Sequence, residues 1–414
     1  MEIEHACPQC GAPVILAETD RLLSCPFCRV RLFLWSTEVF RYLLPPAPAA
    51  AARSDLVYVP YVRFRGMVFD LEQPQEHERV LDTSFLATPT GPFPASLGFR
   101  PQALRLRPAA FREEDRCLAF CGDDRIRRCR PTPGRTSERP PGKIRPATKS
   151  VGEVRSLIYA PFYPDQGRWH DGVLEEPLPN APVGPPLQEF SWEKRKTWDL
   201  HFIATLCPEC GRDLEGVNES CLLFCPQCRT GWEPSRQGLC PFPVYRQAFS
   251  GEEEAFSFLP FWYFKLPYHP SETFRFPVSE LLELQPGKVP PWEAESGRTV
   301  FWIPAFKISP RIFLRLGWAA TQDPFSETEL EPLLPSRFHP VTLPAEEARE
   351  CIDVLEACLD RDAIILEATR TPIPPGDWEK KLVFIPFEET AYELIQPRTR
   401  MGISRNILNL AKYI

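Results

Sequence analysis

Eight cysteines carry the most recognisable chemistry in this 414-residue chain: Cys7, Cys10, Cys25 and Cys28, and then Cys207, Cys210, Cys225 and Cys228. The second set repeats the first at a constant offset of 200, and each reads C-P-x-C-G and then C-P-x-C, with fourteen residues between Cys10 and Cys25 and between Cys210 and Cys225. A C-x-x-C knuckle turns tightly enough to aim two thiolates at one ion, and two facing knuckles complete a tetrahedron. The spacing therefore predicts two structural sites for Zn2+. Other uses of paired cysteines fit less well. A thioredoxin-like dithiol uses one pair at a helix start rather than two facing pairs. Disulfide staples belong to small secreted chains, and the opening MEIEHACPQC has neither a basic n-region nor an apolar h-region. Rubredoxin-like iron also fits C-P-x-C-G, although the short spacer is more typical of a zinc ribbon.

The elements that must hold these knuckles are predicted to be mainly β with some α. The chain has 49 prolines where average usage is roughly 5% of residues, and proline inside a helix removes a hydrogen bond and clashes with the preceding turn. A hydrophobic content of 43% suffices for two or three packed domains. No run of about 18 or more apolar residues occurs, so no membrane span is expected and the chain reads as cytoplasmic. The formal charge is −7, and each ion held by four thiolates adds about two more negative charges, which disfavours non-specific binding of phosphates.

The internal duplication extends beyond the cysteines. Pro60, in LVYVPYVRFRG, lies 32 residues after Cys28, and Pro260, in FSFLPFWYFKL, lies 32 after Cys228. SLGFRPQALRLRP from Ser96 pairs Pro101 with Pro310 of AFKISPRIFLRLG, and VRSLIYAPFY pairs Pro161 with Pro386 of KLVFIPFEET. Each half therefore reads as a zinc ribbon followed by a β-rich (α+β) domain: ribbon 1–44, domain 53–172, proline-rich linker 173–190, ribbon 200–245, domain 250–414. Ribbon, strand, connecting segment and strand thus recur in order, and the segments around Pro60, Pro161, Pro260 and Pro386 read as strands with a bulge or at a sheet edge, since proline cannot donate to a ladder. Tyr58, Tyr61, Phe64, Phe261, Trp262 and Phe264 are expected to face the cores rather than a partner. One helix is predicted over 345–360, where Ala348, Cys351, Ile352, Leu355, Cys358 and Leu359 share a face, making Cys351 and Cys358 core residues.

Further residues invite a functional reading. Cys117, Cys121 and Cys129 form C-x3-C-x7-C without an evident fourth ligand, so a third metal site is conceivable but not favoured. Cys221 and Cys240 have Arg21 and Phe40 at the matching positions, so the repeat assigns them no ligand role. The stretch RIRRCRPTPGRTSERPPGKIRPATK, Arg125 to Lys149, lies in a basic insertion at about 122–150 whose composition predicts a flexible arm able to touch nucleic acid, an acidic partner or the acidic C-terminal region. His5, His77, His170, His201, His269 and His339 are scattered, and neither a P-loop nor a dinucleotide fingerprint occurs, so no catalytic residues and no organic cofactor are assigned.

With its knuckles followed by YVPYVRF and FLPFWYF, the chain resembles a loose bacterial group of TFIIB-type zinc-ribbon proteins whose members are often labelled helicase- or primosome-related. That resemblance covers about a third of the chain and implies zinc rather than a specific activity. The expectation is a non-enzymatic zinc-binding scaffold for protein–protein interaction, with a protein partner. The alternative is a nucleic-acid-binding protein using the arm 125–149.

Overall fold

The computed structural model of the protein describes residues 1–70, 78–88, 91–111, 115–120, 148–182, 192, 198, 200–266, 299–322, 325–352, 354–355 and 379–410. The fold is mainly β, as composition predicts. In the first half β1 (Glu2–Ala6) and β2 (Pro13–Ala17) flank one knuckle, and β3 (Leu22–Ser24) and β4 (Arg31–Trp35) flank the other. There follow β5 (Phe40–Leu43), α1 (Pro48–Ala51), β6 (Val57–Asp70), β7 (Glu78–Leu86), α2 (Arg100–Ala103), β8 (Arg105–Pro108), β9 (Arg116–Cys117), β10 (Thr148–Asp165), β11 (Arg168–Asp171) and β12 (Pro177–Pro182). The second half has β13 (His201–Ala204), β14 (Leu223–Phe224), β15 (Gly231–Ser235), β16 (Gly238–Phe242), β17 (Val244–Gln247), β18 (Phe256–Leu266), β19 (Thr299–Pro304) and α3 (Pro310–Gln322). It closes with β20 (Leu330–Glu331), α4 (Ala345–Glu350), β21 (Glu379–Glu389), β22 (Glu393–Ile395), β23 (Gly402–Ser404) and α5 (Arg405–Leu410).

The two domain sheets share one topology. In the first, β7-β6-β10-β5-β8 lie side by side, with β11 on β10 and β12 on β11; in the second, β19-β18-β21-β17-β20, with β22 on β21 and β23 on β22. Both contain the parallel pair that the order demands, β5 with β10 and β17 with β21. The register agrees as well. Pro60 faces Tyr159 and Pro260 faces Phe384, so partners 200 apart on one strand are 225 apart on the other, the same offset that separates Pro161 from Pro386.

Those prolines correct an expectation. Pro60 and Pro260 lie within central strands, not at sheet edges or bulges; the irregularity in β10 falls between Gly152 and Val154. The β6–β7 ladder stops at Tyr61↔Leu86 and the β18–β19 ladder at Phe261↔Pro304, one residue from each proline. On an antiparallel strand a residue's N–H and C=O point to the same side. The missing N–H therefore points where the neighbouring strand has just ended, while the carbonyl still accepts from Ala87 N–H (3.0 Å) or Ala305 N–H (2.9 Å).

Four further differences are local. The resemblance at Pro101 and Pro310 masks unequal helices: α2 has four residues because its chain enters β8, whereas α3 has thirteen and buries Phe313, Leu316, Gly317 and Ala320 at helical spacing. The linker 173–190 is not all connector, since Pro177–Pro182 forms β12 against β11. Each ribbon segment also lends a strand, β5 or β17, to the domain that follows. Of the helix expected over 345–360, Ala345–Glu350 is α4, and Cys351, Ile352, Val354 and Leu355 after it are buried; 356–360, with Cys358 and Leu359, lies outside the described residues.

Of the aromatics expected inside, Tyr61, Phe64, Phe261, Trp262 and Phe264 are buried, and Tyr58 is half-buried against Phe111. The halves also pack together: Met67, Phe69 and Val151 join the core of the second half, and Arg155 makes a two-pronged pair with Glu350 at 2.9 and 2.8 Å.

Equivalent sheet positions carry different polar clusters. In the first half Arg63, only 2% exposed, donates through Nε to Glu18 at 2.7 Å and through its terminal nitrogens to Asp82 at 2.5 and 3.0 Å, while Ser156 donates to Glu18 at 2.6 Å. At the matching positions stand Tyr263 and Lys381, which donate to Glu327 at 2.6 and 3.0 Å, joined by Lys265. Burial opposes ionisation of Glu327, but the bonds from Lys265, Tyr263 and Lys381 outweigh it and hold the carboxyl down at about 2. A carboxylate with a depressed folded pKa contributes stability that is present above its unfolded value and is lost as pH falls through the folded one.

Two outcomes are expected. Glu18→Ala leaves the buried Arg63 Nε and the Ser156 hydroxyl without an acceptor while Asp82 still pairs the guanidinium, and lowers the unfolding free energy by about 1–3 kcal/mol, read by urea denaturation. Glu327→Gln narrows the stability difference from wild type as pH falls from about 4.5 toward 2, seen in acid titrations followed by circular dichroism.

Candidate metal centres

Each of the four knuckles is built by the same two backbone bonds. The Cys7 N–H donates to Ala12 O and the Gly11 N–H to Cys7 O, both at 2.8 Å; the pattern recurs at Cys25–Val30, Cys207–Arg212 and Cys225–Thr230. This turn places its fifth residue in the left-handed region: Gly11 at φ 75° and Gly211 at 74°, but Arg29 at 62° and Arg229 at 60°. Glycine takes that conformation without steric cost, which accounts for C-P-x-C-G at the first knuckle of each ribbon. The second knuckles place arginine there, so its side chain must serve some other purpose.

The turns bring the sulfurs together. Cys7 and Cys28 Sγ are 3.7 Å apart and Cys10 and Cys25 3.6 Å; Cys207 and Cys228 are 4.0 Å apart and Cys210 and Cys225 3.5 Å. Within each quartet all four ligand atoms lie within 4.8 Å of one another. A disulfide would need about 2.05 Å. Four sulfurs about 2.3 Å from a central ion sit about 3.8 Å apart in a regular tetrahedron, which these spacings match. The donor set fits a thiophilic ion with no vacant protein position. Metal binding by all eight predicted cysteines is thus supported by geometry.

Electrostatics gives the same answer. Chiefly because the Cys28 amide donates to it, the Cys25 thiol is drawn down to about 6. At Cys28 the Val30 amide pulls the same way, but desolvation and the neighbouring sulfurs of Cys25, Cys10 and Cys7 prevail and push it up to about 12. One thiolate forms readily and then obstructs the others. A cation among them removes that conflict, because ligation deprotonates the thiols.

Hydrophobic side chains support each quartet from below. Cys7 and Cys25 pack with Val14, Leu16, Leu23 and Leu34; Cys207 and Cys225 pack with Leu22, Phe33, Leu214, Leu223 and Trp232. Leu22 and Phe33 come from the first ribbon, so the second site is walled by both. β13, which leads into the second ribbon, pairs along β4 of the first from His201↔Trp35 to Ala204↔Leu32. Arg31 donates to the carbonyls of Leu214 (3.0 Å) and Gly216 (2.5 Å), and Thr19 donates to Glu219, its own counterpart, at 2.8 Å.

This packing is not exchanged by a two-fold axis. Arg21 N–H donates to Asn218 O of the other ribbon, whereas its counterpart Cys221 donates to Val341 O of its own half. The first ribbon rests both on the second and, through Glu18, on its own domain, whereas Cys221 and Arg229 tie the second to its own domain. Nothing in the sequence marked Glu18, Arg31 or Arg229 as the anchors of this stack; a left-handed arginine at both second knuckles is the one signal that could have singled out Arg229.

The remaining candidates do not gather into sites. Cys117 is buried in β9, and Cys121 and Cys129 lie outside the described residues, as does most of the arm 125–149. Cys221 donates to Val341 O at 3.3 Å and burial raises its thiol to about 12; Cys240 lies 3.2 Å from Ser235 Oγ. His5 and His339 are held down near 4 by burial, His201 packs on Trp35 and His170 stacks on Tyr163, while His77 and His269 lie outside the described residues. Among the described residues, the two quartets are the only clusters that could hold a metal. Comparison with protein-family models, with curated proteins and with solved structures finds no match to the chain.

Replacing Cys25 with serine is expected to reduce the metal content from two ions per chain to one, measured by elemental analysis, and to lower the melting temperature. The effect is large because a structural ion of this kind contributes on the order of 10 kcal/mol to folding. Acidification is expected to release both ions as the thiolates protonate, which a colorimetric chelator follows directly.

Proposed function

We propose that the two quartets hold zinc and that the chain is a non-enzymatic scaffold for protein–protein assembly. The observation that carries this reading is the closure of both sites: four cysteines per ion leave no position for substrate or water, which a catalytic metal needs. The surroundings support it. Each ribbon is a bracing element, fixed by Arg31 and Glu18 or by Arg229 and Cys221, and two similar sheets are joined through them. No helix among the described residues is long and apolar enough to cross a membrane.

Native mass spectrometry of the purified full chain, combined with elemental analysis, tests this reading. Two zinc ions per chain and a bound protein retained at about 1 M salt, where the screening length is near 3 Å, are the expected result. Bound nucleic acid released by the same salt, with loss of binding when arginines 125–130 become glutamine, would replace the scaffold with the nucleic-acid reading.

A further inference from the structure

The duplication supplies an internal template for an unused surface. In the second ribbon the arginine edge of the outer knuckle is covered: Arg229 donates to Leu334 O at 2.5 Å, and Cys228 and Arg229 are half-buried, while Pro226 and Gln227 stay exposed. The cover is the segment Glu331–Ser336, which turns at Pro332 where the Leu333 N–H donates to Glu331 O at 2.8 Å and is pinned by Ser336, whose N–H and hydroxyl donate to Glu253 at 2.6 and 2.7 Å. Glu253 in turn adds negative charge near Arg229.

The first ribbon presents the same turn without a cover. Pro26, Phe27, Cys28 and Arg29 are all exposed, Phe27 at 69%, and no hydrogen bond or ion pair of the Arg29 side chain is found among the described residues. Arg29 has the same left-handed backbone as Arg229, so its side chain leaves the knuckle in the same direction relative to the ion. Phe27 replaces Gln227, giving the uncovered copy an apolar tip that the covered copy lacks.

We infer that the knuckle Cys25–Arg29 docks a leucine- and proline-rich segment of a partner protein, which offers a main-chain carbonyl to Arg29, as Leu334 does to Arg229, and apolar side chains to the exposed Phe27. The occupant is deduced from Glu-Pro-Leu-Leu-Pro-Ser, the sequence that covers the equivalent knuckle. Two prolines restrict the backbone of such a segment before it binds, so less conformational entropy is lost on docking. An aromatic and an arginine side by side are also the residue types that dominate binding energy at protein interfaces. This inference rests on the scaffold reading and names the part of the molecule that performs it.

The test uses the metal-loaded full chain and a fluorescein-labelled peptide, Glu-Pro-Leu-Leu-Pro-Ser-Arg, with anisotropy as the readout. Saturable binding is expected, weakened about tenfold or more by Phe27→Gln and by Arg29→Glu. Both residues are exposed, so metal content and melting temperature should stay at wild-type values in these variants. Absence of binding, or equal binding by wild type and variants, overturns the inference. So does binding of a single-stranded oligonucleotide, run in parallel, that is lost with Phe27→Gln while the peptide does not bind. A protein partner that co-purifies equally with wild type and both variants would remove this surface and leave the scaffold reading standing. No co-purifying protein in any of them would remove the scaffold reading itself.

Discussion

Four sulfurs held within 4.8 Å of one another are a repulsive arrangement until a cation sits among them, and the rest of this molecule is hung on two such arrangements. Short strands such as β3 and β14, of three and two residues, cannot nucleate on their own backbone bonds. The knuckles fix their ends, and the hydrophobic residues behind the buried cysteines then have something to pack against. Once the ribbons exist, their turns become anchoring points: Glu18 reaches Arg63 and Ser156 in one sheet, and Cys221 and Arg229 reach Val341 and Leu334 in the other half.

Duplication followed by divergence explains why similar parts are held by different contacts. The sheet register is preserved to the residue, as Pro60↔Tyr159 and Pro260↔Phe384 show, because a slip of one would turn every core side chain to the opposite face. Polar positions on those sheets were freer to change. Arg63 and Tyr263 occupy equivalent places, and each found a carboxylate, one from the turn of a ribbon and one from the short 3-10 helix at Glu327–Glu329. Stacking the first ribbon on the second used the turn at Asn218 and left the knuckle at Phe27 without a cover.

Much of this was legible in the chain itself. The cysteine spacing specified both quartets, because a C-x-x-C turn has one geometry and its ligands lie close in sequence. The matched prolines specified the duplication and which strands correspond between the halves, and the dense aromatics around Pro60 and Pro260 marked the cores. The thirteen-residue α3 was hidden by its likeness to the segment containing Pro101, where the same opening leads into a strand instead. Proline's inability to donate to a ladder argues for a bulge or a sheet edge, whereas the missing N–H only needs a neighbouring strand that has ended.

What the sequence determined, then, was everything fixed by short-range geometry or by an exact repeat: the ligand sets, the turns, the strand segments and their order. Tertiary structure alone decided how the two copies meet. The bonds from Arg31 to Leu214 and Gly216, from Arg63 to Glu18 and from Arg229 to Leu334 join residues 183, 185, 45 and 105 positions apart. An arginine reads the same in sequence whether solvated or buried. Its role is assigned only when folding removes water from its surroundings and a carbonyl or carboxylate must take water's place.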